Sequence, residues 1–455
     1  MVKRFAGWLD ERVGASSFTR EALNKVFPDH WSFMLGEIAL YCFLILVLTG
    51  TFLTLFFDPS TSKSVYEGAY GPLQGVEVSN AYRSVVELSY DVRAGLVMRQ
   101  IHHWAALVFV AAIVIHLCRI FFTGAFRKPR ELNWVIGVTL LILALFNGFS
   151  GYSLPDDLLS GTGLRIAYSM ALSVPFVGTW IAFLVFGGEF PSDQIIGRLL
   201  VTHIMIVPAL IAVLLTAHLA LVWRQKHTQF PEAGRTETNV VGSKFWPTYA
   251  AKSIGLFFGV FAVVALLGGL VQINPVWLYG PFESQQVSTP AQPDWYLGWI
   301  EGALRMFPSW ELRAFGYELP NPFFPGVLLP GITFGLLYAW PFLEARLTGD
   351  RDVHHLLDRP RDRPLRTALG TTTLAFYGVL FFGASNDLVA KWLGVSVLTL
   401  TNVFVVLLFV LPALTGVITY RLMKALAASG AARFSEMPLR ALRNPRGDRS
   451  RARTS

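Results

Sequence analysis

Four histidines lie inside apolar stretches long enough to cross a bilayer, and they fall into matched pairs. His102 and His116 are fourteen residues apart in one stretch, and His203 and His218 are fifteen apart in another. At about 100° and 1.5 Å per residue, fourteen steps return a side chain to within roughly 40° of its starting face, about 21 Å further along the helix. Fifteen steps overshoot by roughly 60°. Each helix therefore presents two imidazoles on one side, about half a bilayer apart. Two such helices packed face to face make two stacked bis-histidine sites, the shape required by two haems spanning a membrane. With imidazole on both axial positions the iron has no open site, so such a metal carries electrons and binds no substrate. A single intramembrane histidine commonly just hydrogen-bonds a carbonyl, but polar groups are costly there, and four at matched spacing argue for ligation. The doublet His102–His103 supplies an internal test. Thirteen residues from His103 to His116 rotate about 220°, so His102 is the expected ligand and His103 is expected to cap or pack.

The 455-residue chain is 53% hydrophobic and 15% charged, the composition of an integral membrane protein. Eight apolar stretches can span, at about 33–57, 97–122, 133–154, 198–223, 250–272, 323–344, 366–386 and 394–422. The expected fold is all-α with eight transmembrane helices. A cytoplasmic amphipathic segment covers 1–32, a four-helix di-haem bundle 33–230, and a C-terminal four-helix region 231–422. A basic tail, 423–455, is placed to touch anionic lipid. The net charge of +8 follows from topology: of 38 Lys and Arg, 29 fall on the side holding both termini and 9 on the other. The positive-inside rule puts both termini in the cytoplasm, with no nucleic-acid patch. The first apolar run is too long for a cleavable signal and begins too late. Cys42 and Cys118 each sit in an apolar helix outside any C-x-x-C pattern. They cannot hold an iron–sulfur cluster or attach a c-type haem, so any such centre belongs to a partner.

Gly36 and Gly50 in the first stretch, and Gly137 and Gly151 in the third, are also fourteen apart. Glycine lets something bulky approach the backbone. Small residues at this spacing also pack membrane helices together, but the period shared with the histidines favours porphyrin edges inside a bundle of the first four helices. Between the third and fourth stretches, "GYSLPDDLLSGTGLRIAYS" is too polar to span and reads as a short amphipathic hairpin on the outer face. The longest extramembrane stretch, 273–322, contains "AQPDWYLGWIEGALRMFP", read as a lid over a membrane pocket. On the cytoplasmic side, "RLTGDRDVHHLLDRPRDRPLR" reads as a solvated charge cluster, with no redox role for His354 and His355.

The paired histidines, the paired glycines, "GYSLP" after the third stretch and the P-D-W-Y element at Pro293–Tyr296 resemble the cytochrome b subunit of the cytochrome bc family of quinol:cytochrome c oxidoreductases. The resemblance runs from about Trp31 to Leu422. It implies that His102 with His203 ligates an outer, low-potential b haem, and His116 with His218 an inner, high-potential one. Arg99, Arg198 and Arg119 would each pair with a haem propionate at the membrane edge. Several positions depart from the family pattern. Asp294 stands where a Glu is usual, Asp156 where a Trp is usual, and Glu301 where a Tyr is common. With "KHTQFP" at 226–231, these departures resemble the actinobacterial branch, which uses menaquinol. The fifteen-residue spacing also resembles the photosynthetic relatives, whose chain is split after the fourth helix; here all eight are continuous.

The resemblance implies quinol oxidation at the outer face, with the two electrons sent along separate routes. One goes to a Rieske iron–sulfur partner and on to a c-type cytochrome. The other crosses the membrane through the b haems to reduce quinone at the inner face. Further partners implied are a second copy of the complex and a terminal oxidase. Asp294 is the candidate proton acceptor, with a helix-capping role as the plainer alternative. Tyr296 and Tyr152 are placed to hydrogen-bond quinol, and Pro293 and Gly163 to line its site. Glu301, Asp156 and Asp157 are either accessory proton carriers or solvated acids. At the inner quinone site the candidates are His227 and Lys252, but Ser253 stands where the family has an Asp, so the proton donor is left unassigned. Two other functions compete. A b-type anchor of a dehydrogenase or hydrogenase would need the haems but neither P-D-W-Y nor the last four helices. A transporter with buried histidines would bind no haem at all.

Overall fold

The computed structural model describes residues 2–286, 292–314 and 316–435; the part of the expected basic tail beyond 435 lies outside them. Two short helices, α1 (Val2–Val13) and α2 (Ala15–Asn24), precede the first span. The eight spans are α3 (Leu35–Thr54), α5 (Gly95–Phe122), α6 (Glu131–Tyr152), α9 (Ile195–Gln225), α10 (Phe245–Leu270), α12 (Phe324–Thr348), α13 (Pro364–Gly383) and α15 (Val397–Ser435). In hydrocarbon an unpaired backbone group costs several kcal/mol, so each crossing segment closes its own hydrogen bonds as a helix. The last span runs past Leu422 into the expected tail, because "RLMKALAA" contains no breaker and is built from strong helix formers.

The first, second, third and fifth spans share one core, in which Cys42, Ile45, Ala105, Phe109, Leu141 and Val264 are buried together. The fourth packs on the third, and α13 packs along α15. Leu48, Leu266 and Phe409 point outward and are exposed, as residues facing lipid must be.

The fifteen-residue interval in α9 has a structural cause. Residues Thr202–Ile206, which include His203, form a π-helical turn. Such a turn takes up one extra residue, so fifteen residues there cover the rotation that fourteen cover in a regular helix. The expected 60° overshoot is absorbed, and Pro208, lacking an N–H, sits at the end of the irregularity.

At the end of the bundle opposite the termini lie α4 (Asn80–Tyr90), α7 (Leu158–Ser173), α8 (Gly178–Phe186), α11 (Gly298–Met306) and α14 (Asn386–Leu393). Two hairpins accompany them: β2 (Lys63–Val65) with β3 (Glu77–Ser79), and β5 (Leu312–Ala314) with β6 (Tyr317–Leu319). The polar stretch after α6 thus carries most of α7, and the apolar α8 follows it. Gln100 exchanges two 2.8 Å hydrogen bonds with the Ile273 backbone, and Trp104 Nε1 donates to the Val271 carbonyl. These bonds tie the start of the long loop to the second span.

At the terminus end, β1 (Val26–Phe27) pairs antiparallel with β4 (Ser243–Lys244), with Phe27 opposite Ser243. This pins the chain before α3 beside the start of α10. The 349–363 link departs from its expected solvated state. Arg366 is buried and bonds both Glu344 and Asp358, while Arg127 reaches Asp358 at 3.3 Å and Arg130 meets His355 Nδ1 at 2.9 Å. A buried guanidinium must be paired, and these partners come from segments far apart in sequence. The link is docked against the α5–α6 turn.

Candidate functional site

All four histidines face the interior of the α3, α5, α6 and α9 bundle. His102 and His203 face each other with ring centres 6.1 Å apart. Their Nδ1 atoms are anchored: His102 to Thr49 Oγ1 at 2.9 Å, and His203 to the Asn147 carbonyl at 2.9 Å. A neutral imidazole that donates from Nδ1 turns its Nε2 lone pair to the opposite side. Two metal–nitrogen bonds of about 2 Å, plus about 1 Å from each Nε2 to its ring centre, need about 6 Å between centres. The observed separation fits one metal between the rings. At the other end, His116 and His218 are buried together within electrostatic reach, with His218 turned toward the Asn133 carbonyl.

The four glycines meet these same rings. A Cβ added at Gly36 would lie 3.3 Å from His116 Cε1, one at Gly50 3.1 Å from His102 Cε1, and one at Gly137 3.8 Å from His218 Cε1. At Gly151 it would collide with His203. The absent side chains therefore make room for the imidazoles first. Two arginines also fit a pair of haems. Arg99 and Arg119 each keep Nε and Nη2 buried with no hydrogen-bond partner, an arrangement a propionate would complete. Arg198 is placed differently. Its guanidinium is taken up by the Phe183 and Leu184 carbonyls at 2.8 and 2.7 Å and by Gln194 at 2.8 Å, so the structure does not bring it to the histidines.

At the opposite end from the termini, Asp294 occupies the cap position of the short turn Trp295–Leu297, yet its side chain makes no capping bond. One oxygen instead lies 2.8 Å from His103 Nε2, and the other accepts from the Tyr296 hydroxyl at 2.9 Å. His103 thus neither caps nor simply packs; it holds the carboxylate across 191 residues of sequence. Burial, and then the Asp294 carboxylate, push the Tyr296 phenol well above its ordinary range, so it remains a donor. Gly148 makes the contact possible, since a Cβ there would come within 2.5 Å of the Tyr296 hydroxyl. Tyr152 is buried nearby, and a Cβ on Gly163 would rest 3.4 Å from its ring. Glu301 is paired with Arg305 at 2.7 Å, and Arg305 with Asp387 at 3.0 Å.

Asp156 and Asp157 are not solvated acids. Burial raises both carboxyls to about 6. Asp157 caps α7 through Ser160, and Asp156 holds a left-handed backbone at φ 52°. A carboxyl raised above its unfolded value stabilises the fold below about pH 4 and loses that contribution as pH rises through 6. Asp156→Asn keeps the shape and tolerates the backbone. The variant complex is expected to be more stable than wild type at pH 7.5, by about 1–2 kcal/mol, with the gap narrowing at pH 5. Equal melting curves at both pH values would rule out a buried, strained ionisation at this position.

The terminus end holds the remaining candidates. Lys252 is half exposed and paired with Asp29 at 2.7 Å. His227 packs with its ring centre 4.6 Å from that of Phe27 and has Nε2 buried without a partner. Burial first, then the positive charges of Lys25, Arg130 and Arg119, lower it to about 4. A residue with no assigned part, Glu37, lies at the start of α3 among Tyr41, Tyr249 and Ser253.

Comparison with known proteins places this arrangement. A family described as cytochrome b (N-terminal)/b6/petB matches residues 107–281. The chain is 52% identical over 421 residues to the cytochrome bc1 complex cytochrome b subunit of Corynebacterium diphtheriae, covering 92% of this chain and 78% of that one. It is 53% identical over 422 residues to the subunit of the same name from Mycobacterium tuberculosis, covering 92% and 77%. The corresponding figures for the subunit of Streptomyces coelicolor are 49% over 420 residues, 92% and 77%. In fold it is similar to a chain of a hyperthermophilic respiratory Complex III, with a TM-score of 0.66 at 20% identity over 91% of this chain and 99% of that one. With identity of this degree sustained along almost its whole length, the chain belongs to the family of cytochrome b subunits of the cytochrome bc1 complex, membrane proteins of electron transport.

Proposed function

We propose that this subunit oxidises quinol at the outer face and returns one of its two electrons across the membrane to quinone at the inner face. The observation that carries the reading is the facing pair His102 and His203, anchored at Nδ1 and separated as one bis-imidazole metal requires. When bound, two b haems would supply single-electron transfer between the two faces. His102 with His203 would hold the outer haem and His116 with His218 the inner one, with Arg99 and Arg119 pairing propionates. Asp294 takes a proton from the quinol hydroxyl, and His103 and Tyr296 keep its two oxygens aimed. Both termini then face the cytoplasm, in keeping with the distribution of Lys and Arg. The actinobacterial relatives support menaquinol as the quinol.

The chain works with the other subunits of its complex. The second electron needs a Rieske iron–sulfur partner followed by a c-type cytochrome, because Cys42 and Cys118 are isolated and held in different spans. Acid extraction of the purified complex is expected to yield two haems b per copy of this chain; one or none overturns the reading. The chain purified without partners is expected to give no quinol-driven cytochrome c reduction. Steady turnover by the lone subunit would favour a dehydrogenase-type anchor instead.

A further inference from the structure

Ser253 directly follows Lys252 in the first turns of the fifth span, and its hydroxyl has no acid of its own helix to meet. The structure brings a carboxylate to it from another helix. Glu37, in the first turn of α3, accepts from Ser253 Oγ at 2.6 Å, from Tyr41 at 3.3 Å and from Tyr249. Tyr41 and Ser253 also bond each other. We propose that Glu37 is the group that delivers protons to quinone at the inner site, an assignment that rests on the function proposed above.

Three features support it. The first is position: Glu37 directly follows Gly36, whose missing side chain admits the His116 ring, so the carboxyl belongs to the residue next to a contact between α3 and the inner pair. The second is chemistry. Its partners are three hydroxyls, and among the described residues no cation pairs with it. An arginine or lysine would hold the carboxylate ionised, whereas hydroxyls can donate to a carboxylate or accept from a carboxylic acid, so the network serves both protonation states. The third is access. Tyr249 stacks on Phe27 with ring centres 4.4 Å apart, and His227, with its unpartnered Nε2, packs on the same Phe27. The half-exposed Lys252–Asp29 pair adjoins Ser253 at the aqueous edge. The cluster thus lies between the buried imidazoles and water.

Reducing quinone to quinol takes two electrons and two protons. The electrons would come one at a time from quinol at the outer site, through the b haem that His116 and His218 would hold. The Glu37 carboxyl gives a proton to a quinone oxygen, is reloaded from water at the Lys252–Asp29 edge, and gives the second in the same way.

The test uses the whole complex with Glu37→Gln and Glu37→Asp, each first shown to retain two b haems. After a pulse of quinol, haem reduction through the outer site should run at the wild-type rate in both. Reoxidation of the inner haem by quinone should slow by about 10²-fold in the Gln variant and recover in large part in the Asp variant. The infrared difference spectrum on quinone reduction should show a carboxyl band that shifts in Glu37→Asp and is absent in Glu37→Gln. Wild-type reoxidation with an unchanged carboxyl band in the Gln variant overturns the assignment. If Glu37→Gln fails to assemble, Tyr249→Phe, which keeps the carboxyl and removes one hydroxyl, must slow the same step less severely, and normal reoxidation there also overturns it. A wild-type complex whose haems quinol does not reduce overturns the underlying function and the assignment with it.

Discussion

Replacing His102 or His203 by leucine is expected to reduce the haem content of the complex from two b haems per chain to one. Quinol-driven cytochrome c reduction should fall to background. The two rings face each other at 6.1 Å, so either one alone can offer only half of an axial pair. Leucine fills the space and supplies no lone pair. The inner pair is carried about four helix turns away, on His116 and His218, so its spectrum should survive. Thr49→Val tests the same site more gently. It removes the 2.9 Å bond that orients His102, and losses of about 10–100-fold in metal affinity are usual when such an outer partner goes. Haem quantification and reduced-minus-oxidised spectra read all three variants. Two retained haems in either leucine variant would sink the ligand assignment.

Much of this was legible because the membrane imposes regular helices, so hydropathy located the eight spans and helical arithmetic paired the histidines with glycines at the same period. The arithmetic ran out where the helix is irregular. Nothing in "VTHIMIVP" announces a π-helical turn except the odd fifteenth residue itself. Contacts between distant segments were also hidden. His103 was correctly set apart from the His116 face, but its partner Asp294 lies on a loop far along the chain. The available signal was that two polar side chains at the membrane edge both lacked a partner nearby in sequence. Glu37 could have been found by a similar signal, an acid in the first turn of an otherwise apolar span beside Gly36. The 349–363 link misled for the opposite reason. A run of Asp and Arg looks solvated when its partners, Arg127 and Arg130 in the α5–α6 turn and Arg366 in α13, lie elsewhere in the chain.

Asp294→Asn is expected to slow quinol oxidation by about 10²–10⁴-fold, the usual contribution of a positioned base, with both b haems still bound. The substitution is nearly isosteric. An amide oxygen can still accept from Tyr296, and the side chain can still face His103, so the lid geometry persists while the capacity to take a proton is lost. The absence of a capping bond from Asp294 means that the variant costs no helix start, which removes the main structural route to the same loss. Asp294→Glu, the residue usual in the family, should keep substantial turnover because a carboxylate remains. Replacing His103 by Gln should lower the rate less than Asp294→Asn and leave both haem spectra in place, since it removes an aiming contact and no ligand. Glu301 is a poor substitute base, because its carboxylate is already engaged by Arg305 at 2.7 Å. Normal turnover in Asp294→Asn would therefore mean that Asp294 only shapes the lid, and the proton route would pass to Tyr152 or bound water.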